Sequence, residues 1–251
     1  MKTPHFYAVI IGSEILNARR EDKHFLYVRD ALLRRGHTLF SSFIIKDDPI
    51  LIHNTFNMIK NDPDAVMFSF GGIGSTPDDL TRQIAANVFS DGVLVPHKEF
   101  TDHIIERFAD AAYPHRIHMA ELPKNSGLLH NVINNMSGFY LYDRYFFMPG
   151  FPEMSHPMVE DALERFYPKA SLTYRHTLVA QTSENTLIDV MELMDEGIDF
   201  SSLPMMNGGN PTVEISVASS DQKLSKANFK RFIDALESKS IPYSLINNTS
   251  E

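Results

Sequence analysis

Over the first 168 residues, short apolar runs alternate with amphipathic segments, and this alternation leaves the chain few folds to choose from. Stacked βα units of that kind build a largely parallel sheet. Residues 6–11 read as a buried strand. Residues 23–35 read as a helix, with Phe25, Val28 and Leu32 at 3–4 spacing and Gly36 as its stop. Residues 38–45 form the next strand. Asp48 and Pro49 then supply a cap and a first-turn proline for a helix over 50–60. The run Ala65–Phe70 is a third strand, and Leu80, Ile84 and Val88 make the stripe of a third helix. Residues 98–113 read as a helix, 139–142 and 145–148 as a hairpin, and 153–167 as a closing helix.

After Pro168 the pattern changes. Residues 172–180 (strand), 183–194 (helix), 203–206 and 212–218 (strands), 225–238 (helix) and 243–246 (strand) spell βαββαβ, a ferredoxin-like order. The expected organisation is a domain over 1–168 and a smaller one over 171–248, which 251 residues accommodate. The Gly208-Gly209 stretch is accounted for by a hairpin turn.

Composition narrows the functional classes. A net charge of −9 opposes nucleic-acid binding, which draws its affinity from neutralising phosphates. With no cysteine there is no disulfide, thiolate nucleophile or thiolate metal site. The eleven histidines show no zinc-ligand spacing, even at the closest pair, His115 and His118, and read as surface or helix-end residues. The apolar run 6–11 is too short for a signal-peptide core or a membrane span, so a soluble, cytoplasmic protein is expected.

The strongest chemical signal lies between residues 71 and 82. A strand that runs into Gly71, Gly72 and Gly74 and then a helix offers backbone N–H groups to an anion. It is neither a Rossmann fingerprint, since the third glycine is missing, nor a P-loop, since Gly-Lys-Ser/Thr is absent. It carries instead Asp78 and Asp79, with hydroxyls at Ser75, Thr76 and Thr81 and with Arg82 behind them. Carboxylates beside a phosphate need a divalent cation between them, and Mg²⁺ is commonly held in that way. The competing reading is a tight turn in which Asp79 caps the next helix. Gly12 and Glu14 follow the first strand, and Asp47 and Asp48 follow the second. Ligands of open parallel sheets bind outside the carboxyl ends of the strands, so these loops are expected to converge. Asp48 as a cap and Gly12 as a turn are the alternatives.

These residues resemble the CinA family, whose N-terminal domain is related to the MoaB and MogA molybdopterin-binding proteins. Gly71 through Arg82 is similar to the family loop GG-x-G-P-T-x-DD-x-T-R, Ile11-Gly12-Ser13-Glu14 to its first loop, and Asp47-Asp48 to its second acidic loop. Ala120 through Pro123 resembles a further stretch, and Met148 through Met154, with Gly150, resembles its PG-x-P-x-EM turn, one residue shorter. Ser13 stands where the family has an acid, Lys23-His24 where it has Thr-Asn, and the segment 131–139 keeps only Asn131, Gly138 and Phe139. The likeness is weaker over 171–246 and stops before the family's C-terminal amidohydrolase domain, so amide hydrolysis is not expected.

The resemblance implies a three-layer α/β fold with a mostly parallel sheet and a small second domain of the family's middle, KH-like type. It implies a phosphorylated nucleotide or pterin as ligand, a divalent cation (Mg, Mn or Co) as cofactor and a molybdopterin-like compound as an alternative ligand. It is compatible with a homodimer. Its branches suggest either metal-dependent cleavage of ADP-ribose or adenylylation of molybdopterin. In the enzyme reading Asp79 and Asp47 hold the metal and act catalytically, Asp78, Glu14 or Asp48 assists, and the backbone of Gly71–Gly74 holds phosphate. The alternatives are a binding module without catalysis and, against the charge, an RNA-binding second domain.

Overall fold

The structure, a computed structural model, describes residues 3–169 and 173–246. The chain falls into two compact units, Met1–Ala170 and Ser171–Glu251. Ser171 and Leu172, where the sequence reading starts the second domain and its first strand, lie outside the described residues, as do residues 247 and 248.

The first unit runs β1 (His5–Ile11), α1 (Ser13–Leu16), α2 (His24–Leu33), β2 (Leu39–Ile45), α3 (Pro49–Lys60), β3 (Ala65–Phe70), α4 (Thr81–Phe89), β4 (Leu94–Pro96) and α5 (Lys98–Phe108). It continues with β5 (Glu121–Pro123), β6 (Gly127–Leu129), β7 (Gly138–Leu141), β8 (Tyr145–Met148) and α6 (Pro152–Phe166). The main sheet has the order β2-β1-β3-β8-β7-β6. Its first four strands pair in parallel, and β7 then pairs antiparallel with both β8 and β6. The strands are apolar at every position of β3 and β8 but Ser69, because helices cover both faces. Tyr7, Val9, Ile11, Met67 and Phe147 pack against α3, α4 and α5 on one side. Phe6, Ala8, Ile10, Phe68 and Phe146 pack against α2 and α6 on the other. Two cores around one sheet make the three-layer α/β architecture that the alternation predicts.

Local chemistry sets the element ends. Asp48 caps α3 by accepting the Leu51 amide at 2.8 Å, with Pro49 in the first turn. Tyr142 and Asp143 both take positive φ in the three-residue connection between β7 and β8. Two sequence expectations fail. The helix expected over 98–113 ends at Phe108, where Ala109 turns to φ 46 and a 3-10 turn, Ala109–Ala112, follows. The short strands β4, β5 and β6, three residues each, were not foreseen, since so few residues carry no period.

The second unit runs β9 (Tyr174–Ala180), α7 (Ile188–Met191), β10 (Asp199–Asn207), β11 (Asn210–Ser219), α8 (Gln222–Ser238) and β12 (Tyr243–Ile246). Its antiparallel sheet has the order β10-β11-β9-β12, that of a split βαβ unit. Leu178, Ile215, Val217 and Phe232 form its core. The helix expected over 183–194 is a correction: residues Glu184–Leu187 are a 3-10 turn, followed by the single turn of α7. Thr182, Ser183 and Thr186 bond to one another there, the local competition that makes hydroxyl residues poor in helix interiors. Among the described residues no helix is long and apolar enough to cross a membrane.

Phe147 is fully buried, stacked on Phe139 at 4.6 Å and edge-on to Phe56 at 5.8 Å. Phe147→Ala should lower the stability of the first unit by about 3–5 kcal/mol. Urea unfolding followed by circular dichroism checks this, and a loss below about 1 kcal/mol would show that the core there is not close-packed.

Candidate functional site

The four parallel strands β2, β1, β3 and β8 end on one edge of the sheet, and their loops meet there. The Gly12 amide donates to Ile45 O at 3.0 Å, and the Gly71 amide to Met148 O at 2.9 Å. Gly71 has φ 99, and a Cβ placed on it would stand 2.3 Å from Ile11 O. Only glycine fits there. On its other side lies Gly150, whose own Cβ would stand 3.6 Å from the Gly71 Cα. The loops after β1, β3 and β8 are therefore in backbone contact at Gly71.

The loop over 71–80 folds onto its own side chains. Thr81, wholly buried, donates its hydroxyl to Gly71 O at 2.9 Å and its amide to Gly72 O. A Cβ on Gly72 would stand 2.4 Å from that hydroxyl, which accounts for the second glycine. Asp79 accepts the Thr76 amide at 2.8 Å and the Thr76 hydroxyl at 2.6 Å, both through Oδ2. A Cβ on Gly74 would sit 2.5 Å from the same oxygen. Among the described residues, the amides of Gly72, Ile73, Gly74 and Ser75 have no hydrogen-bond acceptor. Consecutive free N–H groups on a glycine-rich turn form an anion-binding concavity.

Two expectations about this loop need correction. Asp79 does not cap α4: the cap position is Leu80, without a side-chain bond, and Asp79 closes the turn back to Thr76. Arg82, grouped from the sequence with the ligand-binding residues of the loop, is 8% exposed, and its Nη1 donates instead to the carbonyls of Ile73 and Gly74. Burial pushes its pKa down, with Asp79 and Glu121 opposing that shift. The guanidinium thus holds two carbonyls of the loop whose amides have no acceptor.

The first two loops latch to each other. Asp47 Oδ2 accepts the Ser13 amide at 2.7 Å, and the Asp47 amide lies 3.4 Å from Ser13 Oγ. The carboxylate is thus held by the backbone of residue 13, while the serine hydroxyl that stands in place of an acid accepts the Asp47 amide. Glu14 folds back over Gly12, its carboxylate oxygens 3.0 Å from where a Cβ would be, and approaches Arg20 at 4.0 Å. Asp48 is engaged as the α3 cap, and Asp78, Thr76 and Pro77 are exposed at the loop tip, with Ser75 half-buried. Among the described residues, no group of three or more His, Asp or Glu side chains could hold a metal ion. Asp47 and Asp79 each keep one oxygen, Oδ1, without a protein hydrogen bond. Carboxylate oxygens of this kind are the donors used by a hard cation that keeps several waters and takes further ligands from a substrate phosphate.

His24 is a helix-end histidine, as read from the sequence, but it does not lie at the surface. It is 3% exposed, stacked on Phe70 at 4.3 Å and edge-on to His156 at 5.5 Å. Burial, and then the neighbouring His156, lower its pKa to about 4, against support for the charged form from Asp22 and the Gly150 backbone. Burial also lowers that of His156, whose ring stacks on Tyr27 at 3.7 Å. An isolated histidine carries no periodic signal, so nothing in the sequence announced this pair. An open groove of about 830 Å³ runs between Lys23 and Glu164 past Tyr27 and His156, and none of the glycine-loop residues lines it.

A family described as "Probable molybdopterin binding domain" matches residues 7–169. A CinA-like protein of Citrifermentans bemidjiense is 31% identical over 160 residues, 61% of this chain and 38% of that protein. One of Syntrophotalea carbinolica is 31% identical over 166 residues, 63% of this chain and 40% of that protein. The chain thus spans about two fifths of the length of these curated relatives. Among solved structures, "the protein CinA with unknown function" from Thermoplasma acidophilum aligns with a TM-score of 0.57 at 24% identity, covering 65% of this chain and 97% of that one. That likeness concerns the fold.

Gly71→Ala adds a Cβ against Ile11 O at a positive φ and should destabilise the first unit by about 3 kcal/mol; unchanged urea unfolding would mean the loops can part without loss. A second outcome concerns acid. Because the folded pKa of His24 lies below its ordinary 6.5, its contribution is complete above pH 6.5 and drains away as the pH falls toward 4. Its size is about 3 kcal/mol. The difference in unfolding free energy between the parent and His24→Asn should shift by that amount between pH 7 and 4, and a constant difference refutes it.

Proposed function

This chain belongs to the molybdopterin-binding domain family, and from that premise we propose that its glycine-lined edge binds a pyrophosphate-linked nucleotide or pterin and hydrolyses the linkage. ADP-ribose is the model substrate and a divalent cation the cofactor. The observation that carries this reading is the row of open amides from Gly72 to Ser75, with an uncommitted oxygen on Asp79 of the same loop and another on Asp47 of the loop after β2. Amides of that row bind phosphate oxygens. Asp79 Oδ1 and Asp47 Oδ1 are the groups that would hold the cation, which when bound offsets phosphate charge and polarises the phosphorus. Arg82 and Thr81 keep the loop in the shape that aims its N–H groups outward. Glu14, folded over Gly12, lies beside the latch that presents Asp47 and orients the attacking water. Water attacks one phosphorus, the bridging P–O bond breaks, and AMP, ribose 5-phosphate and a proton result.

A second reading rests on a specific observation. Asp47 and Asp79 already accept hydrogen bonds that shape their loops, so both have structural work without any metal. This favours a binding module that retains the ligand and has lost the reaction.

Release of AMP from ADP-ribose, with and without Mn²⁺, separates the two. Asp79→Asn retains an oxygen for Thr76 and should leave stability within about 1 kcal/mol of the parent, while turnover falls by about two orders of magnitude. Asp79→Ala loses both Thr76 bonds and should cost about 1–2 kcal/mol. Full turnover in Asp79→Asn removes Asp79 from the catalytic assignment. An inactive parent whose melting temperature still rises with ADP only when a cation is present is the binding module.

A further inference from the structure

We propose that Phe151 and Arg20 form the part of this site that selects a planar aromatic ring on the phosphorylated ligand; the inference rests on the phosphate reading above. Phe151 follows Gly150, the residue in contact with Gly71, and is 52% exposed. Its backbone is fixed: its carbonyl accepts the Met154 amide, the Ser155 amide and the Ser155 hydroxyl, each at 3.0 Å. A large apolar ring is thus exposed on a fixed stretch of backbone, one residue from the Gly150–Gly71 contact. A lone exposed aromatic is ordinary, but this one has a partner. The Arg20 guanidinium lies 5.5 Å from the Phe151 centroid.

Arg20 comes from the opposite side of the site. Its weak link to Glu14 at 4.0 Å ties it to the Gly12 loop, whereas Phe151 belongs to the loop after β8. The pair therefore spans the glycine contact from the first loop to the last. The charge distribution gives Arg20 a second task. The loops carry Glu14, Asp47, Asp48, Asp78 and Asp79, and Arg82 is buried on the Ile73 and Gly74 carbonyls. Arg20 is half-exposed and held only loosely, so it is free to meet a phosphate or to stack as a plane. The phenyl ring offers neither donor nor acceptor, and its face accepts a purine or a pteridine without distinguishing them. Ligands without a ring gain nothing from it.

Isothermal titration of the full chain with ADP and with inorganic pyrophosphate, both in Mn²⁺, tests this. The parent should bind ADP about tenfold more tightly than pyrophosphate. Phe151→Ala and Phe151→Leu should remove that preference while leaving pyrophosphate affinity and melting temperature unchanged. Arg20→Lys, which keeps the charge but not the plane, should lose part of it. Unchanged ADP affinity in both Phe151 variants, or an equal loss for pyrophosphate, overturns the ring platform. A full preference in Arg20→Lys overturns the part given to Arg20. A parent that binds pyrophosphate as tightly as ADP refutes the platform but not the phosphate reading, whereas a parent that binds neither refutes both.

Discussion

Everything at the carboxyl edge of the parallel strands depends on one close approach, the Ile11 carbonyl over the Cα of Gly71. Any side chain at Gly71 would push the loop after β1 away from the loop after β3. Gly150 would then lose its neighbour, and Thr81 could no longer reach the Gly71 carbonyl. The contact also explains why the strands beneath are packed on both faces. A backbone-to-backbone meeting has no side chain to absorb error, so the strands that deliver it must be rigid, and two close-packed cores make them so.

The polar groups of the edge divide by direction. Arg82, Thr81 and the Thr76–Asp79 pair point into the loop and fix its shape. The amides of Gly72 through Ser75 and one oxygen of each carboxylate are left over. A side chain such as Asp79 therefore shapes its loop through one oxygen while the other stays uncommitted. The Ser13–Asp47 latch follows the same logic on the neighbouring loops.

The three layers were legible in the sequence because their signal is long-range and repeated: strands of six or seven residues bounded by capped helices. The glycine loop was legible as a cluster, because three glycines and two acids within nine residues are more than a tight turn requires. What could not be read was orientation. Arg82 looked like a cation for a ligand because helix position alone does not say that two loop carbonyls already hold it. His24 looked ordinary because burial came from Phe70 and His156, both far away in sequence. The broken helix after Ser183 had the right apolar spacing, but its hydroxyls bond to each other more readily than the backbone continues.

The β7–β8 hairpin carries a further consequence for how the chain acquires its site. The hairpin itself is local and can close within microseconds. Its pairing with β3 is not: Met67 must find Tyr145 after the intervening helices and short strands have been made. Contacts between such distant segments form slowly, because the loop must close before they reward it. Gly150 is carried to Gly71 only by that last insertion. A nascent chain that has emerged as far as α5 already contains Gly12, Asp47 and the whole glycine loop, yet lacks the strand that brings the fourth wall. The meeting of the β1, β3 and β8 loops at this edge thus waits for the pairing that is most distant in sequence.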